Sequence, residues 1–420
     1  MKAVGTAVPG TTPRAGQPTV RSYAGNYIAR LRGGEMGALP AVFALLFLGT
    51  MFSLAKPVFL TALNFANLFT QGAAVTVIAM GLVFVLLLGE IDLSAGFASG
   101  VCAAVLAVLL VEHGWPWYLA IAAAIATGAT IGLMLGVLVA KVGIPSFVVT
   151  LAAFLAFQGV ALLLIDNGKN ISISDKAILT IDATGKLTPG IGWALYAVAV
   201  CGFAGIRLLR RRSRIGKGLA AEPLSVVAFR VGLVAGILGL AVYVLNLERS
   251  LNPGFSSQKG VPFVVVIIAG LLILWTFVLS RTPYGRHIYA VGGNREAARR
   301  AGINVDRIRI SVFVICSAMA AVGGVIAASR DNSVDPNTGG SNVLLYAVGA
   351  AVIGGTSLFG GKGRVLDAVL GGAVVAVINN GMGLMGYSSG VKFIVTGSVL
   401  LLAAGVDALS RRRASAVGLR

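Results

Sequence analysis

Long apolar runs, separated by short polar segments, are the feature that most limits the folds open to this chain. An α-helix needs about 20 mostly apolar residues to cross the hydrocarbon core of a bilayer, and runs near that length recur from residue 38 to residue 408. The runs lie at 38–58, 71–89, 95–111, 117–140, 147–165, 191–206, 231–246, 261–280, 310–329, 343–358, 365–385 and 391–408. They predict an all-α polytopic membrane protein with about 12 transmembrane helices.

The charge pattern supports this class and orients the chain. Charged residues make up only 12% of the chain, whereas soluble proteins average about 25%, so soluble enzymes are excluded. The net charge of +19 would suggest nucleic acid in a soluble protein, but membrane proteins concentrate Lys and Arg in cytoplasmic loops. If the N-terminus is cytoplasmic, 26 of the 34 basic residues fall inside. This bias predicts that both termini are cytoplasmic and that no nucleic acid is bound.

The polar ends divide the chain into three parts. Residues 1–36 contain four arginines but no apolar core, so we expect a cytoplasmic tail and no cleavable signal peptide. Residues 37–409 form the predicted transmembrane domain, with a long basic inside loop at 281–309. Residues 410–420 are expected to be a cytoplasmic C-terminal tail.

The cysteines and histidines do not suggest metal or enzyme chemistry. The three cysteines, Cys102, Cys201 and Cys316, all lie in apolar stretches, and the two histidines, His113 and His287, are far apart in sequence. Such cysteines usually serve as small packing residues. We therefore expect no metal site, no cofactor and no catalytic residues in this chain.

Two carboxylates lie beside the membrane in the segment Gly-Glu-Ile-Asp-Leu-Ser-Ala-Gly at 89–96. A charge at the centre of a membrane helix costs about 2.5 to 3.5 kcal/mol on insertion scales, so Glu90 and Asp92 should face protein or water. Asp92 or Ser94 can cap the following helix or make other local hydrogen bonds. The alternative is a direct part in transport, and the sequence leaves both open.

A second glycine cluster, at 354–363, superficially resembles a phosphate-binding loop. Such a loop requires Gly five residues before its Gly-Lys pair and Ser or Thr after it. Here Thr356 and Gly363 occupy those positions. The segment therefore predicts no nucleotide site.

The inside loop at 281–309 contains the signals of a short, charged helix at 295–301. Asn294 can cap it, Glu296 lies in its first turn, Arg299 and Arg300 lie in its last, and Gly302 can end it. At 1.5 Å per residue this helix is about 10 Å long, too short to span a membrane. It suits the docking of a soluble partner, although an ordinary amphipathic connector would share these features.

Several of these motifs resemble permease subunits of bacterial ABC sugar importers of the ribose/xylose class. Residues 284–303 resemble the coupling-helix region of that family, 89–96 its Gly-Gly-Ile-Asp-Leu-Ser segment and 352–361 its late glycine motif. Residues 144–151 and 379–382 are similar as well, and the matches follow the family order from about residue 60 to 408.

Two departures from the shorter ribose-type chains point to a subgroup. Glu90 replaces the second glycine of the ribose-type motif, and an extra helix pair is predicted over 191–246. Both features look more like the xylose-type permeases, so the resemblance implies transport of xylose or a related sugar.

The resemblance implies a non-catalytic subunit of the bacterial cell membrane that works with other chains. A second permease copy, expected to form a homodimer, and an extracytoplasmic sugar-binding protein would complete the path. A separate cytoplasmic ATP-binding subunit would hydrolyse ATP and dock on this chain. The residues implied in this docking are Gly292, Gly293, Asn294, Glu296, Ala297 and Gly302.

A neutral sugar needs hydroxyl and amide partners at membrane depth, where an aromatic face can also stack on it. The candidates for such a substrate path are Thr150, Phe154, Gln158, Asn379 and Asn380. The same residue types also serve in hydrogen bonding and packing between helices, and the sequence leaves that alternative open for each residue.

A different class of transporter would share the same helix count. In a twelve-helix secondary sugar transporter, proton-coupled or facilitative, Glu90 and Asp92 would form a proton site. Against this class, its usual basic motif between the second and third helices is replaced here by these two carboxylates. A neighbouring gene for an ATPase would favour the importer.

Overall fold

The computed structural model describes residue 25 and residues 37–416, except 167, 251, 255 and 256, and this part of the chain is mostly helical. We number its helices α1 to α15 in chain order. They are Leu39–Ala55, Ala62–Leu87, Ala95–Ala107, Trp117–Val137, Ser146–Leu164, Lys176–Asp182, Pro189–Gly216, Leu224–Leu245, Phe263–Arg281, Pro283–Gly293, Arg295–Arg300, Val305–Asp331, Ser341–Gly354, Val365–Leu384 and Ser389–Ala416. Short π-helical turns, Val108–Glu112 and Leu138–Val142, extend α3 and α4.

Nine helices of the described chain are long and apolar enough to cross a membrane. Three shorter apolar helices, Leu39–Ala55, Asn342–Gly354 and Ser389–Gly405, occupy three further predicted runs. The all-α polytopic class is therefore confirmed. The count of 12 spans and the cytoplasmic placement of both termini stay predictions, and the predicted tail at 1–36 lies outside the described residues apart from residue 25.

The core of the molecule is built on α2 and α12. In the apolar stretch of α2, 83% of the residues are buried inside the chain, against 6% in α7 and in α8. Helix α12 packs against α4, α2 and α3, and α14 packs against α13 and α2. The extra pair α7 and α8 packs mainly on itself, so it lies at the periphery of the bundle.

Small residues allow the central helices to approach closely. A Cβ added to Gly128 of α4 would lie 2.5 Å from the carbonyl oxygen of Ser317 on α12, and one on Gly132 would lie 2.4 Å from that of Phe313. Neither distance is sterically possible. The glycines therefore set the α4–α12 separation, as small residues do in membrane helix pairs.

The structure corrects several predicted helix bounds. Helix α2 begins at Ala62, nine residues before the predicted start, because the hydroxyl of Thr61 caps it by accepting the N–H of Asn64. Its polar first turns face protein and not lipid, since Asn64 is buried. Helix α7 continues ten residues beyond the predicted end, through an arginine-rich stretch to Gly216.

Helices α13 and α15 also differ from prediction. Helix α13 ends at Gly354, four residues early, because Gly355 adopts a left-handed φ of +117°. It has 14 residues, so it is about 21 Å long at 1.5 Å per residue. Helix α15 continues to Ala416, into the segment predicted as a tail.

Two short antiparallel strand pairs tie the connecting loops together. Strand β1, Ile171–Ser172, pairs with β4, Ser333–Val334, and β2, Lys186–Leu187, pairs with β3, Val261–Pro262. The β2–β3 pair joins the segment just before α7 to the segment that follows α8. It therefore closes the base of that peripheral helix pair.

Candidate coupling site

Three glycine-containing segments that are far apart in sequence meet at one end of α2. A Cβ added to Gly292 would lie 1.9 Å from the carbonyl oxygen of Leu87 and 3.1 Å from the backbone nitrogen of Gly361. The N–H of Gly361 donates to that same Leu87 carbonyl at 2.8 Å. We call residues 87–94, 289–295 and 357–363 the junction.

Glycine is required at the junction for backbone reasons as well as for space. Gly89 and Gly360 have left-handed φ values of +69° and +85°, which side-chain-bearing residues rarely adopt. Cβ atoms at these positions would also meet backbone of the opposing segment, at 3.3 Å from the Phe359 oxygen and 2.9 Å from the Gly89 nitrogen. The glycine clusters of the sequence therefore serve backbone-to-backbone packing.

Glu90 is the charged centre of the junction. Its side chain is 6% exposed, and its Oε1 accepts from Arg295 Nη2 at 2.7 Å and from Arg309 Nη2 at 2.7 Å. Arg295 donates in addition to the carbonyl oxygen of Leu88 at 3.3 Å. A buried carboxylate is stable only when it is paired. The sequence indicated that Glu90 faces protein or water, but not that it pairs with Arg295 and Arg309.

Asp92 and Ser94 make the local hydrogen bonds that the sequence allowed. Oδ1 of Asp92 accepts from the backbone N–H of Ser94 at 2.9 Å and from its hydroxyl at 2.6 Å. Ser94 is the N-cap residue of α3, but its side chain makes no capping hydrogen bond. Capping by the Ser94 hydroxyl is therefore wrong, because that hydroxyl donates to Asp92 instead.

The junction also contacts the start of α5. The N–H of Ile91 donates to the hydroxyl of Ser146 at 3.2 Å, and the hydroxyl of Thr150 donates to the Ile91 carbonyl at 3.2 Å. These bonds join the motif at 144–151 to the motif at 89–96. A shift of the 88–94 segment would therefore move the start of α5.

The short charged helix α11 begins at the edge of the junction. Oδ1 of Asn294 accepts the N–H of Ala297 at 2.9 Å, and Glu296 forms ion pairs with Arg299 at 3.6 Å and Arg300 at 3.4 Å. Gly302 follows with a left-handed φ of +83°. The predicted cap, first turn, last turn and terminating glycine are thus confirmed, with the helix ending at Arg300.

Five of the six docking candidates are exposed, namely Gly293, Asn294, Glu296, Ala297 and Gly302. Gly292 differs, since it is half-buried and packs into the junction.

Sequence reasoning missed the helix that precedes α11. Helix α10 begins at Pro283, and the hydroxyl of Thr282 caps it by accepting the N–H of Gly285 at 3.2 Å. The Thr-Pro pair is a recognisable start signal. The hydroxyl of Tyr289 on α10 donates to the Gly363 carbonyl at 2.8 Å. Helices α10 and α11 are therefore both bonded to the junction.

The five substrate-path candidates do not form one cluster. Three of them lie on α5, which packs on α3, and they have different environments. Phe154 packs edge-to-face on Phe97 with ring centroids 4.7 Å apart. Gln158 is exposed and Thr150 is buried. On α14, Asn380 donates to Asn64 Oδ1 at 2.8 Å and to Gln71 Oε1 at 3.1 Å, and Asn379 is half-buried. Thr150 and Asn380 thus make helix-packing bonds, and their contact with a sugar stays a prediction.

Comparison with known proteins gives matches over most of the chain. A family model described as the permease component of branched-chain amino acid transport systems matches residues 64–404. The xylose transport system permease protein XylH of Escherichia coli strain K12 is 38% identical over 356 residues, which is 84% of this chain and 87% of the relative. XylH of Haemophilus influenzae is 36% identical and covers 84% of this chain and 91% of the relative.

The ribose import permease protein RbsC of Escherichia coli strain K12 is also similar. It is 31% identical over 368 residues, which is 87% of this chain and 92% of the relative. No solved structure matches the chain. The three segments of the junction all fall within the region that the family model matches.

Proposed function

Since this chain belongs to the family of permease subunits of bacterial ABC importers for ribose and xylose, a family of multi-pass cell-membrane proteins, we propose that it translocates xylose or a related monosaccharide. The support for xylose is the higher identity to XylH, 38% against 31% for RbsC. The twelve-helix secondary transporter is inconsistent with this family. The matched relatives are permease proteins, and we propose that this chain is likewise a non-catalytic subunit.

The observation that carries the mechanism is the ion pair between the exposed helix α11 and buried Glu90. Arg295 is the first residue of α11, and its guanidinium holds Glu90 at 2.7 Å. A cytoplasmic ATP-binding subunit that binds the exposed face of α11 would push on this pair when it closes on ATP. Glu90 would then pass the displacement to the 88–94 segment.

From that segment the displacement has two routes into the membrane. Helix α3 begins directly after it, at Ala95, and α5 is bonded to Ile91 through Ser146 and Thr150. Both helices would move with the segment because α3 continues directly from it along the chain and α5 is joined to it by these two hydrogen bonds. We propose that this movement switches the sugar path between outward-facing and inward-facing states.

Two further partners complete the proposed transporter. A second copy of this chain would share the path, giving a homodimer, and an extracytoplasmic sugar-binding protein would deliver the sugar. The relatives named above are permease proteins of xylose and ribose transport systems, and this supports the need for partner chains. Within this scheme residues 37–409 act as one permease domain, with 281–309 as its coupling loop.

Uptake of labelled sugars into vesicles tests the proposal. Vesicles containing this chain are assayed for uptake of xylose, ribose, galactose and arabinose, with and without the ATP-binding subunit and the sugar-binding protein. We expect uptake of xylose only when ATP and both partners are present. Movement of sugar by the chain alone, down its gradient or with protons, would contradict the importer mechanism.

A further inference from the structure

The loop between α13 and α14, which forms the 357–363 segment of the junction, presents an aromatic residue at its surface. The backbone N–H of Ser357 donates to the Lys362 carbonyl at 2.9 Å, so the two ends of the loop are joined. Ser357 is 1% exposed, whereas Phe359 is 64% exposed. The loop is therefore buried at its base and exposes a phenylalanine between its two ends.

The backbone of this loop is held from two sides. Gly360 and Gly361 adopt left-handed φ values of +85° and +73°, and the N–H of Gly361 donates to the Leu87 carbonyl at 2.8 Å. A Cβ added to Gly360 would lie 2.9 Å from the backbone nitrogen of Gly89 and 3.0 Å from the carbonyl oxygen of Gly292. Because this backbone is already fixed, ordering the aromatic side chain against a partner would cost little conformational entropy.

The position of the loop keeps this phenylalanine away from the lipid. The loop is bonded to the end of α2, whose apolar stretch is 83% buried, the highest value among the nine long apolar helices of the described chain. Leu87 and Leu88 at that end are both buried. The lipid-facing helices α7 and α8 have only 6% of their apolar stretches buried. Phe359 therefore lies at the centre of this end of the bundle and not at its perimeter.

The exposed phenylalanine is close to the start of the docking helix α11. The Cβ that would lie 3.0 Å from the Gly292 oxygen belongs to Gly360, the residue directly after Phe359. Consecutive Cα atoms are 3.8 Å apart, so the Cα of Phe359 lies within about 9 Å of that oxygen. Gly293 and Asn294, which follow Gly292, are exposed. The phenylalanine therefore continues the exposed surface on which α11 begins.

The chemistry of this surface suits a protein partner. Aromatic residues and arginines are enriched at protein interfaces, where a few aromatic anchors supply much of the binding free energy. The exposed charges on the loop and on the last turn of α11, Lys362, Arg299 and Arg300, outnumber the acidic Glu296 of the first turn. A partner that fits this surface would offer an apolar pocket with an acidic rim.

We propose that Phe359 is a second anchor for the ATP-binding subunit, with its ring inserted into an apolar pocket beside the site that receives α11. The inference rests on the proposed function, since it takes that subunit as the partner. It adds a contact on a loop that is hydrogen-bonded to the end of α2 through Leu87. Movement of the subunit would thus reach the central helix without passing through Glu90.

The affinity of the ATP-binding subunit for the full-length chain in lipid nanodiscs tests this anchor. We expect Phe359→Ala to weaken binding about thirtyfold, as loss of an aromatic anchor does, and Phe359→Leu to weaken it less because an apolar side chain remains. The matched control is Phe229→Ala, which truncates a phenylalanine that is 71% exposed on the peripheral helix α8. Thermal unfolding should be the same in all three variants. Equal affinities of Phe359→Ala and Phe229→Ala would overturn the inference.

Photocrosslinking identifies what covers the ring. Benzoylphenylalanine in place of Phe359 should form its adduct with the ATP-binding subunit in the assembled complex. An adduct with a second copy of this chain, or with lipid, in place of that subunit would refute the anchor.

The α11 variant Glu296→Arg separates this inference from the proposed function. If Glu296→Arg weakens binding of the subunit and Phe359→Ala does not, α11 docks, the proposed function stands and the second anchor is excluded. If the wild-type chain does not bind the subunit at all, the proposed function fails and the inference fails with it.

Discussion

Two buried carboxylates of this chain have opposite surroundings. Glu90 accepts bonds from two arginines at 2.7 Å, whereas both side-chain oxygens of Asp182 lack a partner among the described residues. Burial raises the pKa of the Asp182 carboxyl to about 8. Glu90 is therefore held from two sides by cations, which suits the proposed coupling role, whereas Asp182 is buried without a partner for its side chain among the described residues.

Neutralising Glu90 should uncouple transport. Glu90→Gln leaves the Arg309 guanidinium, whose side chain is 15% exposed, without its anion, and the loss of one partner of a buried pair costs about 3 kcal/mol. We expect sugar uptake per ATP hydrolysed to fall about tenfold in reconstituted vesicles. Glu112→Gln, at an exposed glutamate on the π-helical turn after α3, is the control. Equal uptake per ATP in the two variants would refute a coupling role.

Stability should respond to pH through Asp182. Its pKa is raised from 3.8 to about 8 by burial, and the neighbouring Arg330 and Asp331 act on it in opposite directions. Because the folded state holds the proton more tightly, its stabilising effect is complete below pH 3.8 and is lost as the pH rises through about 8. Thermal unfolding of wild type and Asp182→Asn in nanodiscs checks this. The advantage of the variant should grow with pH over that range; a constant difference would argue against a raised pKa.

Among the elements, α11 was the most fully predictable from local sequence. Its cap, charged turns and terminating glycine are all within a few residues of one another, and such interactions need no tertiary contact. The early start of α2 was not predictable in the same way. Its polar first turns look like a loop in sequence; besides the Thr61 cap, Asn380 of α14 holds them by donating to Asn64 and Gln71.

Altering α11 should disconnect ATP hydrolysis from transport without affecting insertion. Gly302→Pro is incompatible with the φ of +83°, since proline fixes φ near −65°. Glu296→Arg replaces two ion pairs by repulsion with Arg299 and Arg300. We expect either variant to abolish most ATP-dependent uptake while the amount in the membrane stays unchanged.

A charge reversal elsewhere on the same predicted side provides the comparison. Lys217→Glu, after the end of α7, changes an exposed residue and should leave uptake near the wild-type rate. Wild-type uptake in both α11 variants would remove the docking role from this helix.

At the scale of the whole molecule, the α7–α8 pair is an addition to the bundle. Only 6% of the residues in the apolar stretch of each helix are buried, and the β2–β3 ladder pairs Leu187 with Val261 at its base. The surfaces that the pair covers on α2, among them Phe65 and Phe69, are apolar and compatible with lipid. The rest of the bundle therefore does not depend on this pair for its core.

Excision of residues 188–260 should leave a folded permease. Joining Leu187 to Val261 through an Asn-Gly turn keeps the ladder, because two-residue turns of this type suit antiparallel pairs. We expect normal membrane insertion and normal stimulation of the ATP-binding subunit, measured as ATP hydrolysis. Failure of the shortened chain to insert would show that the pair is part of the folding unit.

The sequence by itself determined that lipid surrounds most of the chain, that the fold is all-α and that α11 is a short capped helix. The length of the apolar runs, the charge bias and the capping residues each act within a single segment, so they can be read from local sequence. The family resemblance was carried by short motifs for the same reason. The junction, the Arg295–Glu90–Arg309 ion pairs and the packing of the end of α6 on α12 were decided only by the tertiary structure. Each joins residues more than 100 positions apart, as in the hydrogen bond between Asp182 and Ser329, and such contacts arise from helix packing that no local pattern specifies.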